Sequence, residues 1–323
     1  MSTESAMTAQ GLRKRYGDTQ ALDGFDLEVR AGTIHGLLGP NGAGKSTAVS
    51  ALCTLIEVDY GTASIAGHDV ATEGQLVRSR IGLVGQSPAV DEVLGGRQNL
   101  VLFGRLFGLR KSAAVERAAE LLDRFELTQA AERPVATYSG GMRRRLDIAA
   151  GLIRRPAVLF LDEPTTGLDP RGRNEVWATV REVAGEGTTV LLTTQYLDEA
   201  DQLADSISVM DAGRVIAEGT PEELKRQRGG NRLEVVIKDS RRLQDAMQVL
   251  GGALGVPARA SEGVRTITLE VPDRSTALLA AVRALDSAEL EADDLVLRRP
   301  TLDEVFLALT ETDPARSARM EAQ

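Results

Sequence analysis

The sequence predicts an α/β protein with a largely parallel sheet over roughly its first two thirds, followed by a smaller α+β domain. Three observations carry this. Short apolar runs alternate with helical patterns as far as about Arg228. A glycine-rich loop ending in Lys-Ser joins one of those strands to a helix. Beyond the polar, glycine-containing stretch "RQRGGNR" the order of elements changes. The length of 323 residues agrees, because it exceeds the usual size of one domain.

In the first domain, residues 1–230, "TIHGLLG", "AVLFLD", "TTVLLTT" and "SISVMDAG" are apolar runs of strand length and read as buried strands. "AAVERAAELLDRF" repeats apolar residues at helical spacing, and Pro221 before "EEL" opens another helix at "TPEELKRQ". Between about Asp91 and Arg133 the strand rhythm gives way to a mainly helical stretch, which reads as a helical subdomain. Residues 231–311 run strand "LEVVIKD", helix "RRLQDAMQVL", weak strand "VPARA", strand "VRTITLEV", helix "TALLAAVRAL" and strand "DDLVLRR". That β-α-β-β-α-β order is ferredoxin-like. A last helix, "TLDEVFLALT", follows Pro300, and residues 312–323 read as a mobile tail.

Composition narrows the function. An apolar fraction of 42% with 26% charged residues is that of a chain able to bury a core. A formal net charge of -9 argues against non-specific nucleic-acid binding, which needs clustered Lys and Arg on phosphates. The single cysteine, Cys53, excludes an intrachain disulfide and a cysteine-rich metal site, and reads as a small buried hydrophobe suited to a reducing compartment. His35 and His68 are the only histidines; both read as structural. No segment approaches the ~18 continuous apolar residues of a membrane helix, so a membrane role would come through a partner.

The chemistry begins at "GPNGAGKS", which matches G-x-x-x-x-G-K-[ST] through Gly39, Gly44, Lys45 and Ser46. Glycines let successive N–H groups curl around a phosphate, and the following helix adds its positive end. Asn41, Gly42, Ala43 and Thr47 complete the cradle. Lys45 reaches toward β- and γ-phosphates and Ser46 toward Mg²⁺, the expected cofactor of an ATP site. "VLFLDEP" ends an apolar strand in two carboxylates: Asp162 suits the Mg²⁺ shell, and Glu163 suits a general base acting on water. "VLLTTQYLDEADQLAD" ends a second such run in Gln195, a polar residue where a strand meets a site.

"YSGGMRRRLDIA" lies between the phosphate loop and the acidic strand, and it resembles the signature of ATP-binding-cassette (ABC) proteins, usually L-S-G-G-Q. Tyr138 and Met142 replace the outer residues, while Ser139, Gly140 and Gly141 keep the donors that grip a γ-phosphate. The resemblance extends over roughly Thr8 to Arg228 and implies further roles. Gln86 in "LVGQSP" matches the loop that senses Mg²⁺ and nucleotide. Tyr16 in "RKRYGD" matches the adenine-stacking aromatic. Asp169 in "TTGLDP" faces a partner subunit, and Gln195 stands where the family usually has a switch histidine. In such proteins the signature of one cassette completes the phosphate site of another, so a head-to-tail homodimer closing on two ATP molecules is implied.

Chromosome and repair cassettes insert long coiled coils between loop and signature, and ribosomal cassettes come in tandem; neither fits the compact stretch from Lys45 to Ser139. The closer resemblance is to ATP-binding subunits of daunorubicin- and doxorubicin-resistance exporters, through "LDEPTTGLDP", "RVIAEGTPEELK" and "PTLDEVFLALT". It implies drug efflux powered through a separate integral-membrane permease at the cytoplasmic face of the membrane, with residues 231–311 as an accessory or dimerisation domain. Export of a lipid or envelope precursor, or regulation without transport, are the alternatives. "NLVLFGRLFGL" reads equally as a permease-facing surface or ordinary helix packing, and "LDEVFLAL" as a docking segment for the second protomer or the permease or as packing on its own domain; "MRRRLD" suggests anionic lipid or nucleic acid less than a solvated helix face or bridges to neighbouring acids.

Overall fold

The computed structural model describes residues 5–227, 231–260, 265–271, 274–298 and 301–311. They form two compact units, 1–221 and 222–323. The first unit opens with β1 (Ser5–Tyr16), β2 (Thr19–Arg30), β3 (Ile34–Leu38), α1 (Lys45–Leu52), β4 (Tyr60–Ile65), β5 (His68–Asp69), α2 (Gly74–Arg80) and β6 (Ile81–Val84). It continues through α3 (Gly96–Leu106), α4 (Lys111–Arg124), α5 (Gly140–Gly151), β7 (Val158–Asp162), α6 (Pro170–Gly185), β8 (Thr189–Thr194), α7 (Leu197–Leu203), β9 (Ser206–Asp211) and β10 (Arg214–Gly219); α8 (Pro221–Gln227) starts at its last residue and belongs mainly to the second unit.

A six-stranded sheet has the order β10-β9-β3-β8-β7-β6. Its pairs β9–β3, β3–β8, β8–β7 and β7–β6 are parallel, and only the β9–β10 hairpin is antiparallel. Every residue of β3, β7 and β8 is buried, as expected for strands covered on both faces. A second, antiparallel sheet of order β2-β1-β4-β5 goes beyond the largely parallel expectation. Its strands are half-buried: β2 buries Leu22, Phe25, Leu27 and Val29 while intervening residues face water. Such alternation, broken by the register shifts of β1 against β2, gives a weaker apolar signal than the continuous runs of β3, β7 and β8.

The two sheets share a core around Phe25, Leu52, Phe160, Leu191 and Met210. A second core joins α4, α5 and α6 to the other face of the parallel sheet through Leu121, Leu122, Leu146, Ile148, Leu159, Val180 and Leu192. Between residues 91 and 133 lie α3, α4 and a 3₁₀ turn at Thr128–Ala130. Asn99, fully buried, secures this stretch by accepting from the Asp91 N–H (2.7 Å) and donating to the Asp91 and Gly95 carbonyls (2.9 and 3.1 Å).

The second unit contains β11 (Asn231–Ile237), α9 (Leu243–Leu254), β12 (Ala258–Ala260), β13 (Thr266–Val271), α10 (Arg274–Ser287), β14 (Ala292–Arg298) and α11 (Leu302–Glu311). All pairs are antiparallel in the order β12-β13-β11-β14, the ferredoxin-like arrangement. Leu233, Val235, Leu250, Ile267, Leu269 and Leu285 form its core. In α11, Leu302 and Val305 are buried and Glu304 accepts from Arg232 (2.7 Å) and Arg298 (3.0 Å), so the part of "LDEVFLAL" whose side chains are described packs. The linker glycines Gly229 and Gly230 and the tail 312–323 lie outside the described residues.

Candidate nucleotide site

The sheet order places the chemistry. β3 runs into the phosphate loop, β7 ends at Asp162, and β8 ends at Thr194, one residue before Gln195; β8 lies between the other two. Thr193 sits in register with Asp162, and Leu38 with Thr194. The loop, the switch residue and the acids therefore emerge side by side from the carboxyl ends of parallel strands, where α/β sheets bind ligands. A cavity of ≈ 250 Å³ opens there, lined by Thr19, Gln20, Ala21, Asn41, Gly42, Gly44, Lys45, Ser46, Thr47, Gln86 and Glu163.

Gly44 precedes α1 with φ 104, and a Cβ there would lie 2.3 Å from the Ala21 carbonyl oxygen. Only glycine meets both demands. Lys45 is buried and its Nζ donates to the Gly39 (2.7 Å) and Pro40 (3.0 Å) carbonyls of its own loop. Burial lowers its proton affinity, and the nearby charges of Glu163 and Asp162 act in the opposite sense. Ser46 Oγ is 3.5 Å from Asp162 Oδ1, which also accepts from the Thr193 hydroxyl. Gln86 lines the same cavity as Ser46, and a hydroxyl, a carboxylate and an amide oxygen are donors of the kind a hard divalent cation takes, so the chemistry of these residues fits Mg²⁺.

Glu163 has φ 46, a left-handed conformation uncommon for a residue with a side chain. Its N–H donates to the Thr193 carbonyl (3.2 Å) and hydroxyl (3.0 Å), and its carboxylate accepts from Thr166 Oγ1 at 3.2 Å. Gln195 is half-buried at the end of β8. Tyr16 ends β1 opposite Thr19, 48% exposed, with Lys14 Nζ 5.6 Å from its ring centroid. Neither Tyr16 nor Gln195 lines the cavity itself.

Ser139 caps α5, its Oγ accepting from the Met142 N–H at 3.2 Å, which leaves its own O–H available to donate. Gly140 and Gly141 form the first turn; a Cβ on Gly141 would come within 3.2 Å of the Gly172 Cα, so α5 and α6 approach closely there. Asp169 caps α6 by accepting from the Gly172 N–H at 2.9 Å, with Pro170 following it. Among the described residues, neither Asp169 nor any of Ser139, Gly140 and Gly141 lines the cavity around Lys45. Tyr138 is buried and donates to the Ala130 carbonyl at 2.7 Å, tying the signature to the turn after α4.

The reading of "MRRRLD" as solvated or bridging holds for Arg143, paired with Glu92 at 2.9 Å, and for Arg145, paired with Glu175 at 3.3 Å. Arg144 is bridged as well, to Asp147 at 3.3 Å, but inside the protein, where it is 5% exposed. The i,i+3 spacing in "RRLD" was the available signal. Glu199 also escapes a sequence reading; fully buried, it accepts from Thr165 Oγ1 (2.8 Å) and Trp177 Nε1 (3.0 Å). In "NLVLFGRLFGL", Leu100 is in the core, whereas Leu102, Leu106 and Phe107 remain exposed.

His35 is buried in β3 between Ser206 Oγ (2.8 Å from Nδ1) and Ser208 Oγ (2.9 Å from Nε2), and burial pushes its pKa down to about 4. His68 Nδ1 lies 3.4 Å from a Glu73 oxygen, and burial pushes the Cys53 thiol up. Among the described residues no group of His, Cys, Asp and Glu forms a metal cluster, and no helix is long and apolar enough to cross a membrane.

Comparison with known proteins agrees with this geometry. Residues 22–166 match the ABC transporter family model, and residues 219–310 match the C-terminal domain of DrrA1-3-like ATP-binding proteins. The chain is 59% identical over 310 residues to the daunorubicin resistance ATP-binding protein DrrA3 of Streptomyces coeruleorubidus, covering 96% of this chain and 97% of that one. It is 51% identical over 318 residues to the doxorubicin resistance ATP-binding protein DrrA of Mycobacterium tuberculosis, covering 97% and 96%. It is 39% identical over 305 residues to the Nod factor export ATP-binding protein I of Ralstonia nicotianae, covering 94% and 93%. Among solved structures, cbiO1 of Clostridium perfringens, part of the ABC transporter complex cbiONQ, superimposes with a TM-score of 0.65 at 26% identity over 78% of this chain and 100% of that one. These likenesses, together with the assembled phosphate loop, acidic strand end and signature helix, show that the chain is an ATP-binding cassette ATPase and belongs to the family of daunorubicin- and doxorubicin-resistance ATP-binding proteins.

Proposed function

We propose that two copies of this chain close head to tail over two ATP molecules and reopen after hydrolysis, driving export of hydrophobic, anthracycline-like compounds through a separate membrane-spanning permease. The single observation behind the chemistry is the strand order β3-β8-β7, which brings Lys45, Gln195 and Glu163 to one edge of one sheet. In this reading the loop N–H groups from Asn41 to Thr47 cradle the phosphates and Lys45 moves from its loop carbonyls to the β- and γ-oxygens. Glu163 accepts the proton of the attacking water. Gln195 positions that water and donates to the γ-phosphate, because an amide both donates and accepts but cannot titrate. Tyr16 stacks on adenine. Mg²⁺, when bound, neutralises phosphate charge, and Ser46, Asp162 and Gln86 would hold it.

The second copy supplies Ser139, Gly140 and Gly141, which in the single chain stand apart from the cavity, and Asp169 faces it. Closure follows the γ-phosphate contacts, present only in the closed state. The exposed Leu102, Leu106 and Phe107 are the surface offered to the permease at the cytoplasmic face of the membrane. The names of the daunorubicin and doxorubicin resistance relatives support the drug substrate.

Glu163→Gln tests the chemistry. It should bind ATP, lose hydrolysis by about 100-fold or more, and accumulate as a dimer in size-exclusion chromatography with light scattering; a parental rate removes Glu163 as the base. Anthracycline stimulation of the ATPase of the joint complex tests the substrate. The likeness to a Nod factor exporter favours a second reading, export of a different amphiphile, which stimulation by lipid alone would select.

A further inference from the structure

We infer that Arg144 is a positioning residue for ATP hydrolysis, holding the Gln86 loop and the turn that carries Glu163 in one fixed relation to the helix that begins at Ser139. The inference rests on the nucleotide-site reading above and adds a residue that acts through its neighbours. The Arg144 guanidinium reaches three backbone carbonyls: Nε donates to Pro164 O (2.8 Å), Nη2 to Asp162 O (3.1 Å), and Nη1 to Gly85 O (2.7 Å). Nη1 also donates to Asp147 Oδ2 at 3.3 Å, one turn further along α5.

Two of those carbonyls bracket Glu163, and the third immediately precedes Gln86. Asp147, itself buried, accepts from the Ala89 N–H at 2.9 Å, so the loop from Gly85 to Ala89 is held at both ends by one side-chain pair. The bracketing matters because Glu163 carries a left-handed φ of 46. Such a backbone persists only where its surroundings over-determine it, and anchoring the carbonyls before and after it does that. From the other side Thr165 is held by the buried carboxylate of Glu199, which lies on the helix after Gln195.

The ion pair with Asp147 does not by itself account for this arrangement. A buried ion pair is commonly replaceable by apolar side chains of similar volume without loss of stability. What apolar groups cannot do is bind three carbonyls from two loops. Neither can lysine, whose ammonium is a compact point on a flexible stem, whereas the guanidinium fork presents five N–H donors in one plane.

The test compares the parent with Arg144→Lys, with the double variant Arg144→Met/Asp147→Leu, and with Glu163→Gln, using full-length protein. Steady-state ATPase gives kcat and KM, a fluorescent ATP analogue gives affinity, and circular dichroism gives Tm. Arg144→Lys should lower kcat by about 10- to 100-fold while ATP affinity stays within about two-fold. The double variant should show the same loss of kcat with ATP affinity kept within about two-fold, at a lowered Tm, because the Gly85, Asp162 and Pro164 carbonyls and the Ala89 N–H lose their partners. A folded variant of either kind turning over within about two-fold of the parent overturns the proposal. ATP affinity that falls together with kcat in both variants also overturns it, leaving Arg144 a structural support only. If the parent does not hydrolyse ATP, or Glu163→Gln matches it, the nucleotide-site reading fails instead.

Discussion

Adding one methyl group at Gly96 should have a cost set by a single oxygen atom on another segment. Gly96 opens α3 with an ordinary backbone, so alanine meets no conformational penalty there. Its Cβ would stand 2.5 Å from the Tyr138 hydroxyl oxygen, while the next contacts, Leu146 Cδ1 and Tyr138 Cζ, are at 3.5 Å. The hydroxyl has no easy retreat, because Tyr138 is buried and its O–H is committed to the Ala130 carbonyl at 2.7 Å. Overpacking of this kind costs about 1–3 kcal/mol, against which alanine's better helix propensity offsets at most about 1 kcal/mol.

Tyr138→Phe alone should cost about 1–2 kcal/mol, since it leaves the Ala130 carbonyl without its donor. It also deletes the atom that blocks Gly96→Ala, after which the nearest contacts are ordinary van der Waals separations. The double variant should therefore be no less stable than Tyr138→Phe, a coupling of about 1–3 kcal/mol in favour of the pair. Urea unfolding of the four proteins measures it, and in a unit of this size each kcal/mol corresponds to roughly 2–4 °C in Tm. Equal destabilisation by Gly96→Ala in both backgrounds refutes the reasoning. Because Tyr138 adjoins Ser139, the parental background should also lose ATPase activity that the Phe background retains.

Gln195→Ala should keep ATP binding and lose most hydrolysis, about 10- to 100-fold; near-normal turnover removes Gln195 from the mechanism. His35 predicts a pH dependence of stability. Its folded pKa of about 4 lies below the unfolded 6.5, so below pH 6.5 the unfolded chain takes up a proton that the native state refuses. The stabilisation is complete above pH 6.5 and is lost as pH falls toward 4, reaching about 3 kcal/mol. His35→Asn should flatten that part of the curve relative to the parent in urea titrations; an unchanged slope contradicts the assignment.

Much of the molecule was legible along the chain because its signals are short-range. β3, β7 and β8 are continuous apolar runs, buried on both faces, and such runs are visible without knowledge of their neighbours. The phosphate loop is equally local, since glycine spacing before Lys45 and Ser46 is a property of eight consecutive residues. The order of the second unit followed from alternation and helical period, which agree with its antiparallel sheet. The half-buried strands β1, β2 and β4, carrying charged or hydroxyl residues on their wet faces, gave no comparable contrast.

By itself, then, the sequence determined which groups the chain has for phosphate chemistry and which family it resembles. Only the tertiary structure decided where they meet. β8 lies between β3 and β7 although it follows both in sequence, and that order sets Gln195 between the phosphate loop and the acids. Three adjacent arginines are alike as letters, but only Arg144 is buried, at 5% exposure, where carbonyls 59, 18 and 20 residues away in the chain converge on it. Leu100 and Leu106 belong to one apolar run, and packing against α4 and α5 buries the first while leaving the second exposed. The physical reason is common to all three: burial and hydrogen-bond partnership are set by neighbours distant in the chain, and no local period or spacing encodes them.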